Sequence, residues 1–306
     1  MIEVYFKTIR DASFNRIEDF RVGSWIYVKD ANLEDLGKIT ELTGLELAHI
    51  RDSLDKYELP RIEHVGDNIL FFVRHPGETE FGLYTETLTI ILTNSFVIAI
   101  CPHRSEIIEN FLSSHTNLGT TQKAKLILHI LLKITQDYTI NIKRVRHAIL
   151  DQEKATKVID SRSIIILTKN EEILNQYLTA LVPIRNLLET VATGRYLNFY
   201  EQDLDLLDDL MIAIRQSEDV CRVNIKSIRS LRDSYQIIFT NDVNRTIKLL
   251  TALTVIITIP SITASFYGMN VSLPFQSNPY AFWIVLGITL LSSIIAVALF
   301  LRKRWL

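Results

Sequence analysis

Residues 249–301 contain no Asp, Glu, Lys, Arg or His. That uncharged run is 53 residues long, where one transmembrane helix needs roughly 20. Two spans and a tight connection fit it. The first is expected over residues 249–266 and the second over residues 280–301. Gly268, Pro274, Asn278 and Pro279 break the helical pattern in the loop 267–279 between them. A wholly buried soluble hairpin is the competing reading, but soluble domains seldom hide so long an uncharged run. Arg245 and Lys248 precede the first span, Arg302, Lys303 and Arg304 follow the second, and the loop has no charge. The positive-inside rule then puts both termini in the cytosol and the loop outside a cell (inner or plasma) membrane. Tyr280 and Trp283 suit one membrane interface and Trp305 the other.

The remainder reads as cytosolic. The chain of 306 residues is 48% hydrophobic and 22% charged, as expected for a soluble domain with an apolar part added. A net charge of −2 argues against nucleic acid as a partner, because phosphate binding needs a basic excess. Cys101 and Cys221 have no metal-type spacing and read as reduced thiols. The first ten residues include Glu3, Lys7 and Arg10 and lack the apolar core of a secretory signal.

Residues 1–120 are expected to form an α/β domain. Residues 69–74 and 88–100 read as strands, 80–86 as a further strand, and 32–57 as helix. Residues 121–195 are expected as helices packing on the domain and the stalk, with Gly194 as a C-cap. No Gly or Pro occurs over residues 195–259. Within that run Leu204, Leu207, Met211, Ile214, Cys221, Ile225, Ile228, Tyr235 and Phe239 follow a coiled-coil-like alternation. Residues 196–248 thus read as a stalk, continuing into the first span as one helix over about 198–266, on the order of 100 Å long. Such a stalk either couples the cytosolic domain to the membrane part or merely anchors it. Residues 302–306 form a basic cytosolic tail. The fold class expected is an α+β membrane protein: an N-terminal cytosolic α/β domain and a long stalk helix continuing into the first of two C-terminal transmembrane helices.

The loop opens with Tyr267-Gly268-Met269-Asn270. Upstream lie Asn244, Lys248, Leu250 and Thr251 and a span interrupted by Pro260; downstream come a second span and the ending Lys303-Arg304-Trp305-Leu306. Over residues 230–306 the sequence resembles the CorA family of Mg²⁺ transporters, whose signature is a Gly-Met-Asn tripeptide after the first of two C-terminal spans. The resemblance implies a homopentamer in the lipid bilayer, a funnel of long helices, and a pore lined by the first span. On the residues alone, Thr251, Thr254, Thr258, Ser261 and Ser265 recur at steps of three and four, on one helical face that extends back to Asn244. They either line a hydrated path or bond back to the preceding turn; the motif favours the path.

The spans and loop hold no carboxylate, so a cation is not chelated there. Mg²⁺ keeps its waters tightly, and a ring of neutral oxygens would hold it through them. Asn270, repeated around a pentamer, would supply carbonyls at the outer mouth, with an αL helix cap as its bland alternative. Gly268 is expected to let the chain turn sharply, and Met269, a poor Mg²⁺ ligand, to pack the loop. The expected pore-lining set is Asn244, Ile247, Leu250, Thr254, Thr258 and Ser261, with Ile247 and Leu250 matching the family's hydrophobic constriction. These two sit beside the Thr stripe, not on it. The loop residues 271–277 lack the acidic residue that many family members carry, which weakens cation attraction at the mouth.

Influx needs no ATP: a divalent ion gains about 4.6 kcal/mol crossing 100 mV. The resemblance implies gating by intracellular Mg²⁺ between subunits, with Asp209 in the stalk and Asp52 in the run Ile50-Arg51-Asp52-Ser53-Leu54 as ligands. Arg51 stands where the family often has an acidic residue. Glu201, Asp203, Asp205, Asp208 and Asp209 form an acidic patch whose ordinary reading is a solvated helix face. The expected function is passive Mg²⁺ influx, with Co²⁺ and Ni²⁺ as further candidates. A Zn²⁺ transporter of the same superfamily and a membrane-anchored sensor or scaffold without transport are the alternatives. No P-loop, triad or metal-hydrolase motif points to an enzyme, no organic cofactor is expected, and the seven scattered histidines are read as surface or core residues.

Overall fold

In the computed structural model, residues 1–80, 82–114, 117–155, 159–197, 199–275 and 277–305 are described. Phe81, inside the strand expected at 80–86, Asn198 at the expected start of the long helix, and Gln276 in the loop lie outside them.

Seven strands form one mixed sheet: β1 (Ile2–Phe6), β2 (Asn15–Ile17), β3 (Trp25–Val28), β4 (Arg61–Val65), β5 (Asn68–Thr79), β6 (Gly82–Leu92) and β7 (Val97–Ile100). The order is β2-β1-β3-β7-β6-β5-β4, and β3·β7 is its parallel pair. The expected strand at 88–100 is in fact two strands. Thr93 breaks it: its Oγ1 accepts from the Ser95 and Phe96 backbone N–H groups at 3.1 and 2.8 Å, closing a turn that reverses the chain.

The helix expected over 32–57 is also divided, into α1 (Leu33–Thr43), α2 (Leu47–Ile50) and a 3₁₀ turn, Arg51–Leu54. Asn32 caps the start of α1, accepting from Asp35 N–H at 2.9 Å. Gly44 ends it at φ 70°, a left-handed conformation that costs a glycine little. Leu36, Ile39 and Ile50 pack with Ile26, Val28, Leu70, Phe72, Ile98 and Ile100 in one core. On the sheet's other face Phe14, Trp25 and Phe111 form an aromatic cluster, with ring centroids 5.5–6.1 Å apart. Phe111 belongs to α3 (Glu106–Leu112).

Three long helices follow: α4 (Lys123–Ala155), α5 (Ser161–Ala192) and α6 (Glu201–Tyr267). Gly194 takes φ 73° just past α5. As far as Tyr235, residues of the apolar seam of α6 are buried within the chain. Leu207, Ile214, Cys221, Ile225 and Ile228 are buried, while Leu204 is exposed and Leu210, absent from the expected seam, is fully buried. Polar pairs lock the same face. The Ser217 and Thr139 hydroxyls are 2.6 Å apart; Glu218 accepts from Arg185 at 2.9 Å and from Arg222 at 2.8 Å; Arg229 reaches Glu171 at 2.6 Å. Burial opposes ionisation of Glu218, yet the bonds from Arg222 and Arg185 hold its carboxyl below the usual range.

By compactness the chain divides into two units: residues 1–157 with 165–231, and residues 158–164 with 232–306. The second unit holds the C-terminal part of α6 and α7 (Ala281–Arg302). Both helices are long and apolar enough to cross a membrane, with mean hydropathies of 1.9 and 2.7 over their most apolar stretches.

Candidate functional site

The expected pore face lies along the apolar end of α6. Asn244, Ile247, Leu250, Thr254, Thr258 and Ser261 are all exposed in the single chain. The hydroxyls of Thr254 and Thr258 donate back to the carbonyls of Leu250 and Thr254 at 2.9 and 2.7 Å. The two readings of this stripe are therefore compatible. A hydroxyl has one hydrogen to give and two lone pairs, so back-bonding uses the donor and leaves an acceptor outward. Outward acceptors are what the waters around a cation require. Pro260 sits inside the helix, where it removes one backbone donor. Ile247 and Leu250 are 54% and 63% exposed, a degree of apolar exposure that calls for lipid or other chains.

The loop departs from expectation at two residues. Gly268 does not use a left-handed conformation. Its N–H closes the last turn of α6, donating to Ala264 and Ser265 carbonyls at 3.0 and 3.2 Å. A Cβ at Gly268 would meet those carbonyls at ordinary contact distance, 3.4 and 3.6 Å. The sharp turn comes further on, at Phe275 with φ 64°. Met269 is 52% exposed and does not pack the loop. Tyr267 does that instead, its hydroxyl donating to the Pro274 carbonyl at 3.0 Å across the Gly-Met-Asn segment. Nothing in the sequence pattern singled out this bond. Asn270 is exposed and lies outside the left-handed region, so it is no αL cap. Asn278 closes a turn just before the second helix, its side-chain oxygen accepting from Tyr280 N–H at 2.9 Å.

The two expected regulatory carboxylates are both at the surface. Asp52, on the 3₁₀ turn, pairs with Arg61 at 2.8 Å. Arg61 also bonds Glu58 and Glu63 and stacks over Phe72 at 4.0 Å. Asp209 is exposed on α6, as are Glu201, Asp205 and Asp208. Asp203 leaves that patch: it is buried and accepts from Tyr200 N–H at 3.4 Å. Among the described residues no three His, Cys, Asp or Glu side chains are grouped to hold a metal ion.

Three comparisons bear on this geometry. A curated relative from Methanocaldococcus jannaschii, named as a cobalt/magnesium transport protein, is 25% identical over 309 residues, covering 94% of this chain and 93% of its own length. The complete structure of the CorA magnesium transporter of that organism superposes with a TM-score of 0.78 at 23% identity, covering 100% of this chain and 99% of the other. The full-length CmaX structure gives a TM-score of 0.72 at 17% identity, covering 99% and 97%. These structural likenesses establish the fold. The model of the CorA-like Mg²⁺ transporter family matches residues 21–304, and this chain, with its two C-terminal apolar helices, belongs to that family of membrane cation transporters.

Proposed function

We propose that this chain forms a homopentamer that admits Mg²⁺ passively, driven by the membrane potential, with both termini cytosolic. The observation that carries the reading is the exposure of the Thr-Ser stripe and Asn270, in a helix whose most apolar stretch is only 6% buried within its own chain. Such a surface is complete only against lipid on one side and copies of itself on the other. Asn270, closing the Gly268-Met269-Asn270 segment that the Tyr267–Pro274 bond spans, would select the hydrated ion at the mouth. Asn244, Thr254, Thr258 and Ser261 would line the path with acceptors, and Ile247 and Leu250 would close it by dewetting. The printed activity of the Methanocaldococcus relative supports Mg²⁺ and Co²⁺ as cargo; Ni²⁺ follows by its similar charge and size.

Intracellular Mg²⁺ bound between Asp209 of one copy and Asp52 of the next would hold the ring shut. Arg61 competes for Asp52, which sets this site's affinity low. Reconstituted vesicles with an inside-negative potential test both parts. The wild type is expected to take up Mg²⁺ and Asn270→Ala to lose most uptake; equal uptake by both removes Asn270 from selection. The double variant Asp52→Ala with Asp209→Ala is expected to keep conducting at internal Mg²⁺ levels that silence the wild type. Unchanged inhibition would remove the gating assignment.

A further inference from the structure

We propose that the soluble domain binds a small aromatic carboxylate, in a cavity where the buried guanidinium of Arg74 meets the anionic group and tyrosine rings cover the apolar body. The cavity has a volume of about 640 Å³, within the range of pockets that take small molecules. Strand β5 supplies Arg74, the segment before β4 supplies Lys56, Tyr57 and Leu59, and β6 supplies Tyr84. All five belong to the first compact unit.

The decisive residue is Arg74. It is 7% exposed, and a guanidinium cannot shed its charge by losing a proton. Buried charges are ordinarily paired, yet among the described residues no carboxylate lies within ion-pair distance of Arg74. Its hydrogen bonds all run to neutral groups. Nε donates to Thr85 Oγ1 at 3.0 Å, Nη2 to Thr85 O and Oγ1 at 2.8 and 2.6 Å, and Nη1 to the Glu58 carbonyl at 3.4 Å. A guanidinium has five N–H donors, so one hydrogen on Nη1 is left over. Thr85 and Glu58 fix the orientation of the group and leave its charge unanswered. Water could take the spare hydrogen but brings no charge; an anion does both.

Lys56 is a second cation without an ion-pair partner among the described residues. Its ammonium and the Arg74 guanidinium lie 5.9 and 6.0 Å from the centre of the same Tyr57 ring. A carboxylate has two oxygens, one for the spare hydrogen of Arg74 and one for Lys56. An inorganic anion would use the charges and leave most of the cavity empty. Tyr57 and Leu59 are 73% and 56% exposed, apolar surface that a flat ring would cover together with Tyr84. Two acidic residues also line the cavity, Glu86 and Glu172. Glu172 is exposed, where solvent screens it. Glu86 lies beyond ion-pair distance of Arg74 and instead has His103 Nε2 3.8 Å from its Oε1.

The probe is 4-fluorobenzoate, followed by its ¹⁹F line width with the full-length protein in detergent. The neutral 4-fluorobenzyl alcohol, of nearly the same shape, reports partition into micelles and onto apolar surface. The carboxylate should broaden saturably and be displaced by unlabelled benzoate, and the alcohol should do neither. Arg74→Gln keeps a donor for Thr85 and removes the charge; it should weaken binding by about tenfold or more. Lys56→Glu, at an exposed position, should weaken it by about fivefold or more, and Asn270→Ala should leave it unchanged. Chemical unfolding checks that Arg74→Gln is folded; if it is not, Lys56→Glu decides alone. Equal broadening by acid and alcohol overturns the site, as does full-strength binding in Lys56→Glu or in folded Arg74→Gln. Displacement of the probe by inorganic phosphate as readily as by benzoate overturns the aromatic class of the ligand.

Discussion

One helix, α6, carries two surfaces that obey different rules. Over residues 201–231 it buries an apolar residue on nearly every turn, and each buried charge there has a partner: Glu218 has two arginines and Asp203 a backbone N–H. Over residues 240–251 every side chain is exposed, and of the described apolar residues beyond only Ala252 is buried. The helical repeat does not change between these stretches. What changes is who satisfies the surface: the chain's own helices in the first, and, in the assembly we propose, lipid with neighbouring copies in the second. Stability should therefore reside in the first stretch and transport in the second.

The largest expected effect separates the two by truncating the same residue type in each. Ile214 is fully buried and Ile257 is 68% exposed. Ile214→Ala should cost about 2–5 kcal/mol, the range for deleting a buried aliphatic side chain. Ile257→Ala should cost under about 1 kcal/mol, because it leaves no internal cavity. Chemical unfolding of the purified protein measures both. Similar losses at the two positions would show that the distal stretch also packs within its own chain.

The second prediction concerns charge. Glu218 is ionised below the ordinary carboxylate range in the folded chain. Its contribution is therefore present above the unfolded-state pKa, near 4.5, and is lost as pH falls through the lower folded value. Glu218→Gln should destabilise the protein by about 1–3 kcal/mol at pH 7, the range for a hydrogen bond to a charged group. The gap between wild type and variant should close on acidification. A gap independent of pH would mean that shape, not charge, makes Glu218 matter.

The contrast also explains what the sequence could and could not reveal. The two spans and the Gly-Met-Asn loop were legible because absence of charge over 53 residues is a local signal with few alternative causes. The long helices were legible from their period, and α6 also from the absence of Gly and Pro over residues 195–259. Strands β1, β2 and β3 were not, because each is 3–5 residues long and lacks alternation. They exist through pairing, with β3 held by β7 some 70 residues away. The apolar run at 88–100 concealed a turn, because Thr93 is β-branched and reads as strand until its hydroxyl is seen to accept two backbone N–H groups. The seam of α6 was read one position wrong at Leu210 because periodicity fixes a stripe and not its edges. His75 and His103 looked scattered, 28 positions apart in the chain. The β5–β6 register sets His75 opposite Glu86, and the loop after β7 brings His103 Nε2 within 3.8 Å of the Glu86 carboxylate.

The smallest effect tests whether the distal stretch organises any of its own surface. Tyr267 is 40% exposed, yet its hydroxyl bond to the Pro274 carbonyl ties the end of α6 to the far side of the loop that carries Asn270. An exposed neutral hydrogen bond contributes about 0.5–1 kcal/mol, equivalent to a few-fold change in the population of the tethered loop. Tyr267→Phe removes the hydroxyl and keeps the ring, so packing is unchanged. Mg²⁺ uptake into vesicles should fall by a factor of about two to five, with unfolding stability lowered by no more than about 1 kcal/mol. A loss as deep as that of Asn270→Ala would mean that this one bond holds the mouth together. Unchanged uptake would mean that the ring of neighbouring copies, and nothing within the chain, sets the loop.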